Sequence, residues 1–309
     1  MKKTTVTLLA VMLLALSTPA FSNWELKFGT EDERVGVLAP MNEEDFPDGP
    51  GAFRVVENDL WVLDSVKGRV LCVNADGSFS KVVKLPGLKA EFVLTDFALQ
   101  RSPSGTVEAV VAIDMRAKEI VVVGIDGKEL RRIKAEQMMQ LDEVDVDTEG
   151  QIYVGDYAAC SISVFSNSGE LLRTLPWQVS GFVADLANNL HMLDYKEGSG
   201  HALVTLAKDG KEIARQEIGL PDMQNPRIWN VNAAGEKLVS FVPPSGDPSQ
   251  QMVYTFSAAG ETTGKAAFSN PYYINRFLAA GKEGIWLVKA DYLKAPDVPV
   301  RVESVALTR

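Results

Sequence analysis

DTEGQIYVGDYAACSISVFSNSGE, residues 147–170, reads as turn, strand, turn, strand, turn. Ile152–Asp156 and Ile162–Phe165 are short β-rich runs, each bounded by Gly, Asp, Asn or Ser. Ser168-Gly169 then closes the second hairpin. The spacing recurs: Asp64 precedes Gly77, Asp114 precedes Gly127 and Asp156 precedes Gly169, by 13 residues each time. A spacing kept three times in otherwise unlike sequence is the mark of a repeat architecture.

Extending this ruler in both directions predicts four strands per repeat. The first repeat supplies Ala52–Val56, Leu60–Asp64, Arg69–Asn74 and Phe79–Lys84, and the second Thr95–Gln100, Glu108–Asp114, Glu119–Ile125 and Glu129–Ala135. The third gives Glu143–Asp147, Gln151–Asp156, Ser161–Ser166 and Leu171–Leu175, and the fourth Gly181–Leu186, Asn189–Tyr195, Ala202–Ala207 and Glu212–Ile218. The fifth is looser, with Ile228–Val231, Lys237–Val242, Met252–Ser257 and Gly264–Phe268. The sixth has three strands, Tyr272–Phe277, Gly284–Lys289 and Arg301–Leu307, before the sequence ends. Six repeats of four strands predict an all-β chain, a six-bladed β-propeller of four-stranded antiparallel blades over residues 23–309. A last blade short of one strand leaves an open edge. Trp24–Thr30, where Trp24, Leu26 and Phe28 alternate with Glu25 and Lys27, is expected to fill it and close the ring.

The same stretch resembles the NHL repeat, whose pattern is D-x-x-G-x-I-Y-V-x-D followed by I-x-V-F and a turn glycine. LWVLDSVKGRVLCVNADG, residues 60–77, is a second good match, and the other repeats follow loosely. The resemblance implies a six-bladed propeller and no particular activity, since such repeats occur in binding proteins, lyases and hydrolases.

Residues 1–22 stand apart: Lys2 and Lys3, an apolar run from Val6 to Leu16, then Ala20-Phe21-Ser22. This predicts a secretory signal peptide cut before Asn23 and a periplasmic or secreted protein. The run is too short for a membrane span, and no cysteine follows it to carry a lipid. Loss of the two lysines takes the formal charge from −10 to −12, which argues against nucleic acid and anionic membrane as partners. A monomer is expected, with an unknown protein or small molecule as partner. Of the two cysteines, Cys72 shares its repeat offset with Val122 and Val164, a core slot, whereas Cys160 shares its offset with Gly68 and Lys118, at a turn. No disulfide is expected between positions so placed.

The repeats also sort the candidate functional residues. Asp64, Asp114, Asp156 and Asp194 end the second strand of four blades and are expected to cap the turn that follows. His191 occupies a slot filled elsewhere by Trp61, Val111, Tyr153 and Trp286, and reads as a packed core residue. The inner strands line the channel, and polar residues near their starts are the channel-mouth candidates: Arg54, Asp96, Asp142, Glu143, Asp145, Asp185, Arg227, Trp229, Asn230, Tyr273, Asn275 and Arg276. The leading expectation is an exported, non-catalytic binding or scaffold propeller with its ligand at the channel mouth. Oxygen donors converging on one axis also suit Ca²⁺, and Asp96, Asp145, Asn230 and Asn275 are the metal-facing candidates. Such a cage resembles that of the gluconolactonase- and paraoxonase-like hydrolases, although Arg54 stands where their blade-one Glu is expected. A lyase of the streptogramin type is the remaining alternative; that family places a His on the channel, and this chain has two His in all. Residues 31–51 form an acidic segment that either caps a mouth or is simply solvated. With no phosphate loop, CxxC pair or nucleophile elbow, no catalytic residue is assigned.

Overall fold

The computed structural model describes residues 23–38, 47–87, 94–218, 224–243, 250–269, 274–281 and 284–308. The predicted signal peptide and Tyr273 lie outside the described residues. Six four-stranded antiparallel sheets form the blades of a β-propeller. In the first five, chain order runs from inner to outer strand. The inner strands are Ala52–Val56, Leu94–Arg101, Leu141–Val146, Phe182–Ala184, Gln224–Val231 and, in the sixth blade, Leu278–Ala280.

The recurring glycines set the outer hairpin of each blade. Gly77, Gly127, Gly169, Gly210 and Gly260 all have φ between 82° and 93°, the left-handed region that a Cβ disfavours. In the first blade Gly77 N–H donates to the Asn74 carbonyl at 2.9 Å, and Asn74 N–H to that of Ser78 at 2.8 Å. This three-residue turn carries a bulge. The ladder accordingly shifts register at the same place in five blades, next to Val73, Val123, Phe165, Leu206 and Phe256.

The sixth blade is completed from the other end of the chain. Trp24–Leu26 pairs antiparallel with Val300–Ser304, in the sheet order 24–26, 300–304, 285–289, 278–280. The strand is shorter than expected, because Phe28 leaves the ladder to pair in parallel with Val35. Trp24, Leu26 and Phe28 are each only 2 % exposed. Trp24 stands 5.9 Å from Trp286, and its indole N–H donates to the Asn74 carbonyl of blade one at 2.9 Å, so one side chain joins the last blade to the first. The tail also reaches back, with Thr308 and Lys265 of blade five exchanging two backbone hydrogen bonds of 2.8 Å.

The inner strand predicted at Tyr272–Phe277 is displaced, and the ladder begins at Leu278. Asn275 and Arg276 turn aside to blade one instead: Asn275 N–H donates to the Gly51 carbonyl and Phe53 N–H to that of Arg276. The acidic segment is anchored on both described flanks. Leu38 and Asp48 exchange backbone hydrogen bonds, Val35 is fully buried, and the Tyr292 hydroxyl donates to the Pro50 carbonyl at 2.6 Å. Among the described residues no helix is long and apolar enough to cross a membrane.

Cys72 is buried opposite Trp61, and Cys160 is exposed; both are free. Cys160 holds φ 48°, close to the 58° of Gly68 and 53° of Lys118 at the same turn position.

Candidate functional site

The turn aspartates are the simplest group. Asp64, Asp114 and Asp156 each accept the backbone N–H three residues on, from Lys67 at 3.3 Å, Ala117 at 2.9 Å and Ala159 at 3.2 Å. Asp64 also pairs with Arg69 at 3.0 Å, and Asp156 accepts from Met139 and Gln140. Asp194 departs from them. Its hairpin continues through Tyr195 and Lys196, which pair with His201 and Gly200, so Asp194 has no turn to cap. It accepts Tyr195 N–H at 3.0 Å and pairs with Arg215 at 2.8 Å.

At the channel end where the inner strands start, the charged candidates form a partly paired network, in which Glu143 Oε2 and Arg227 Nε and Nη2 have no hydrogen-bond partner among the described residues. Arg276 donates through Nε and Nη2 to both oxygens of Asp96, at 3.1 and 3.0 Å, and both residues are buried. Asp96 also accepts the N–H groups of Phe97 and Val144. Glu143 is wholly buried, accepts Gly181 N–H at 3.1 Å and lies 3.3 Å from Arg227. Arg227 stacks 4.3 Å from the Trp229 ring and donates to the Asn275 side-chain oxygen at 3.0 Å. The Asn275 amide spans the channel to the carbonyls of Thr95 and Asp142, at 3.0 and 2.9 Å. Arg54 lies below, donating to the Phe97 carbonyl at 2.5 Å and the Val144 carbonyl at 2.8 Å, with Asp145 at 3.5 Å.

Burial is the dominant electrostatic influence here. It pushes the carboxyls of Asp142 and Glu143 above their ordinary values against the pull of Arg227. It acts on Asp96 in the same direction, but Arg276 and Arg54 outweigh it and hold that carboxyl below the ordinary value. Arg54 is brought down to about 10, first by burial and then by repulsion from Arg276.

This network is a poor fit to calcium. Ca²⁺ takes six to eight oxygens, whereas the oxygens of Asp96 and Asn275 already accept from guanidinium groups, and Asp145 accepts Ala184 N–H and faces Arg54. Asn230 and Asp145 line the cavity at the strand-end mouth, whereas Asp96 and Asn275 belong to the network at the strand-start end. No three His, Cys, Asp or Glu side chains cluster as metal ligands among the described residues.

An open cavity lies at the other mouth, where the inner strands end. Its volume is about 620 Å³, and it has Arg54, Asp145 and Trp229 among its lining residues. Six equivalent positions surround it, each immediately before the turn into the second strand: Val56, Arg101, Val146, Ala184, Val231 and Ala280. Asn230, Asp185 and His191 also face it. Asp185 is saturated: it accepts the N–H groups of Ala187 and Asn189, the Asn189 amide and His191 Nε2 at 2.8 Å. Burial would raise its carboxyl, but the His191 and Asn189 hydrogen bonds outweigh burial and bring it down to about 2. His191 is 6 % exposed, and its Nδ1 meets the Thr205 hydroxyl at 3.1 Å, a polar pair in the slot of Trp61–Cys72 and Tyr153–Val164. The sequence reading does not single out Arg101. Its signal was available, because it is the one charged residue in a ring of six aligned positions.

No family model matches the chain, and no curated protein matches it in sequence. Solved structures do resemble it. A DUF4221 member from Bacteroides vulgatus is 11 % identical with a TM-score of 0.57, covering 93 % of this chain and 99 % of its own. A Bacteroides fragilis protein named as exported is 10 % identical with a TM-score of 0.57, covering 92 % and 94 %. A streptogramin B lyase is 12 % identical with a TM-score of 0.51, covering 95 % and 96 %. At these identities the likeness is one of fold, and the chain is similar to all three as a six-bladed β-propeller.

Proposed function

We propose that this chain is an exported, non-catalytic binding propeller that takes a small molecule in the cavity at the strand-end mouth. One observation carries the reading. The strand-end mouth opens into about 620 Å³, a volume typical of small-ligand sites, whereas at the strand-start mouth Arg276 is paired with Asp96 and Arg227 with Glu143 and Asn275. Its wall joins an aliphatic ring to a few polar groups, the composition that binds and orients a small ligand. The NHL-like repeat supplies the scaffold, and the Bacteroides fragilis neighbour named as exported agrees with the signal-peptide reading.

The test uses the mature protein and the neutral fluorescent probe phenylnaphthylamine. Binding at one site, lost in Ala280→Trp and in Ala187→Trp with the melting temperature kept, supports the reading. Binding unaffected by both occluding variants overturns it. Calorimetry with Ca²⁺ tests the hydrolase alternative: heat at millimolar calcium that Asp145→Asn removes would replace the binding reading with a calcium-dependent one.

A further inference from the structure

The ring of aligned positions around the cavity is aliphatic in five blades and cationic in one. Val56, Val146, Ala184, Val231 and Ala280 present short apolar groups, and Arg101 alone presents a guanidinium. Among the described residues no carboxylate or carbonyl takes up that guanidinium, although every other arginine of the channel is engaged. None of the acidic groups of the wall is bonded to it. Asp145 is bonded to Ala184 N–H and faces Arg54, Asp185 is filled by its turn and His191, and Glu57 sits on the exposed turn at the rim. Arg101 is near enough to add to the repulsion felt by Arg54 at the cavity floor, and the Arg54 guanidinium is itself engaged by the Phe97 and Val144 carbonyls. A cation half-buried among apolar side chains with no partner of its own is a place for an anion from outside. Asn230 faces the cavity from blade five, three blades from Arg101 and so diametrically opposite, and its amide has no partner among the described residues.

We propose that the cavity selects a small amphipathic organic anion, with its charged group on Arg101 and its apolar body against the aliphatic ring reaching towards Asn230. This rests on the binding reading above and adds the ligand's chemical class. A carboxylate or sulfonate matches the planar donor fork of the guanidinium, and a body of several carbons fills the ring.

A pair of probes of like shape tests it. Anilinonaphthalene sulfonate carries the anion, and phenylnaphthylamine lacks it. In Arg101→Gln the sulfonate probe is expected to bind at least about tenfold more weakly, as loss of a charged hydrogen bond implies. The neutral probe should stay within about twofold. Raising the salt should weaken the sulfonate probe in the unmodified protein and have little effect in Arg101→Gln. If the occluding variants abolish both probes but Arg101→Gln leaves the sulfonate affinity unchanged, the anion assignment falls alone. If neither probe binds the unmodified protein, the binding reading falls with it.

Discussion

Ring closure by the first strand makes a quantitative prediction for Trp24→Ala. The indole is 2 % exposed, stands 5.9 Å from Trp286 and donates to the Asn74 carbonyl of blade one. Truncating a buried aromatic residue of this kind costs about 3–5 kcal/mol, the lost hydrogen bond included. An unfolding entropy of about 2.1 cal/mol/K per residue gives about 0.6 kcal/mol/K for a chain of about 290 residues, so the melting temperature should fall by about 5–8 °C. Glu25→Ala is the control on the same strand. Glu25 is an exposed member of a loose pair with Arg301 at 3.6 Å, and its removal should cost less than about 1 kcal/mol. Differential scanning calorimetry on both variants, at one scan rate and with the mature sequence, measures the difference. If Trp24→Ala melts within about 1 °C of Glu25→Ala, the strand does not hold the ring and the closure argument is wrong.

The channel network and the turn aspartates make further predictions. Burial raises the Glu143 carboxyl above its ordinary 4.5, so the folded chain holds that proton more tightly than the unfolded one. The charged form therefore weighs against folding as the pH rises past 4.5, and the stability of Glu143→Gln relative to the unmodified protein should grow over that range. A difference that shrinks with rising pH would show that Arg227 and Arg276 outweigh burial. Asp96 has the opposite sign. Its carboxyl lies below the ordinary 3.8, so its contribution is complete above that pH and is lost as the pH falls towards the folded value; urea titrations of Asp96→Asn from pH 7 downward should show its deficit narrowing. Asp156→Ala orphans three backbone N–H groups and should cost about 2 kcal/mol or more, whereas Asp194→Ala should cost less than about 1 kcal/mol. Equal losses on urea unfolding would erase the distinction drawn between the two turns.

The fold was legible because its information is periodic. The 13-residue spacing of Asp and Gly follows from a turn cap and a left-handed turn glycine, two local requirements that each blade must meet again. The missing strand was legible for a related reason: a blade with three strands needs a fourth, and Trp24, Leu26 and Phe28 had no other place to be buried. The candidate site was legible only in part. Asp96, Asp142, Glu143, Arg227, Asn275 and Arg276 do meet at the channel, but composition along a strand does not say which charges pair. Six inner strands bring Arg276 to Asp96 across 180 residues of sequence, and that pairing is a property of the closed ring. The expected channel-mouth residues divide between the two ends: Arg54, Asp145, Asp185, Trp229 and Asn230 line the strand-end cavity, and Asp96, Arg227, Asn275 and Arg276 meet at the strand-start end. The other end is ringed by five aliphatic residues, which pattern alone assigns to packing, and Arg101 stands out only once the six turns are aligned. Asp194 misled because its carboxylate keeps the repeat position while the hairpin beyond it is longer.

The central claim is that ligand binding lies at the strand-end mouth and spares the strand-start mouth. Methyl-resolved NMR of the mature protein, titrated with anilinonaphthalene sulfonate, tests it most directly. Shift changes are expected in the methyl groups of Val56, Leu99, Val146, Val183 and Val231, all of which line the cavity. Changes confined to Leu94, Met138, Met139 and Leu141 at the opposite end, or no changes at all, would contradict it.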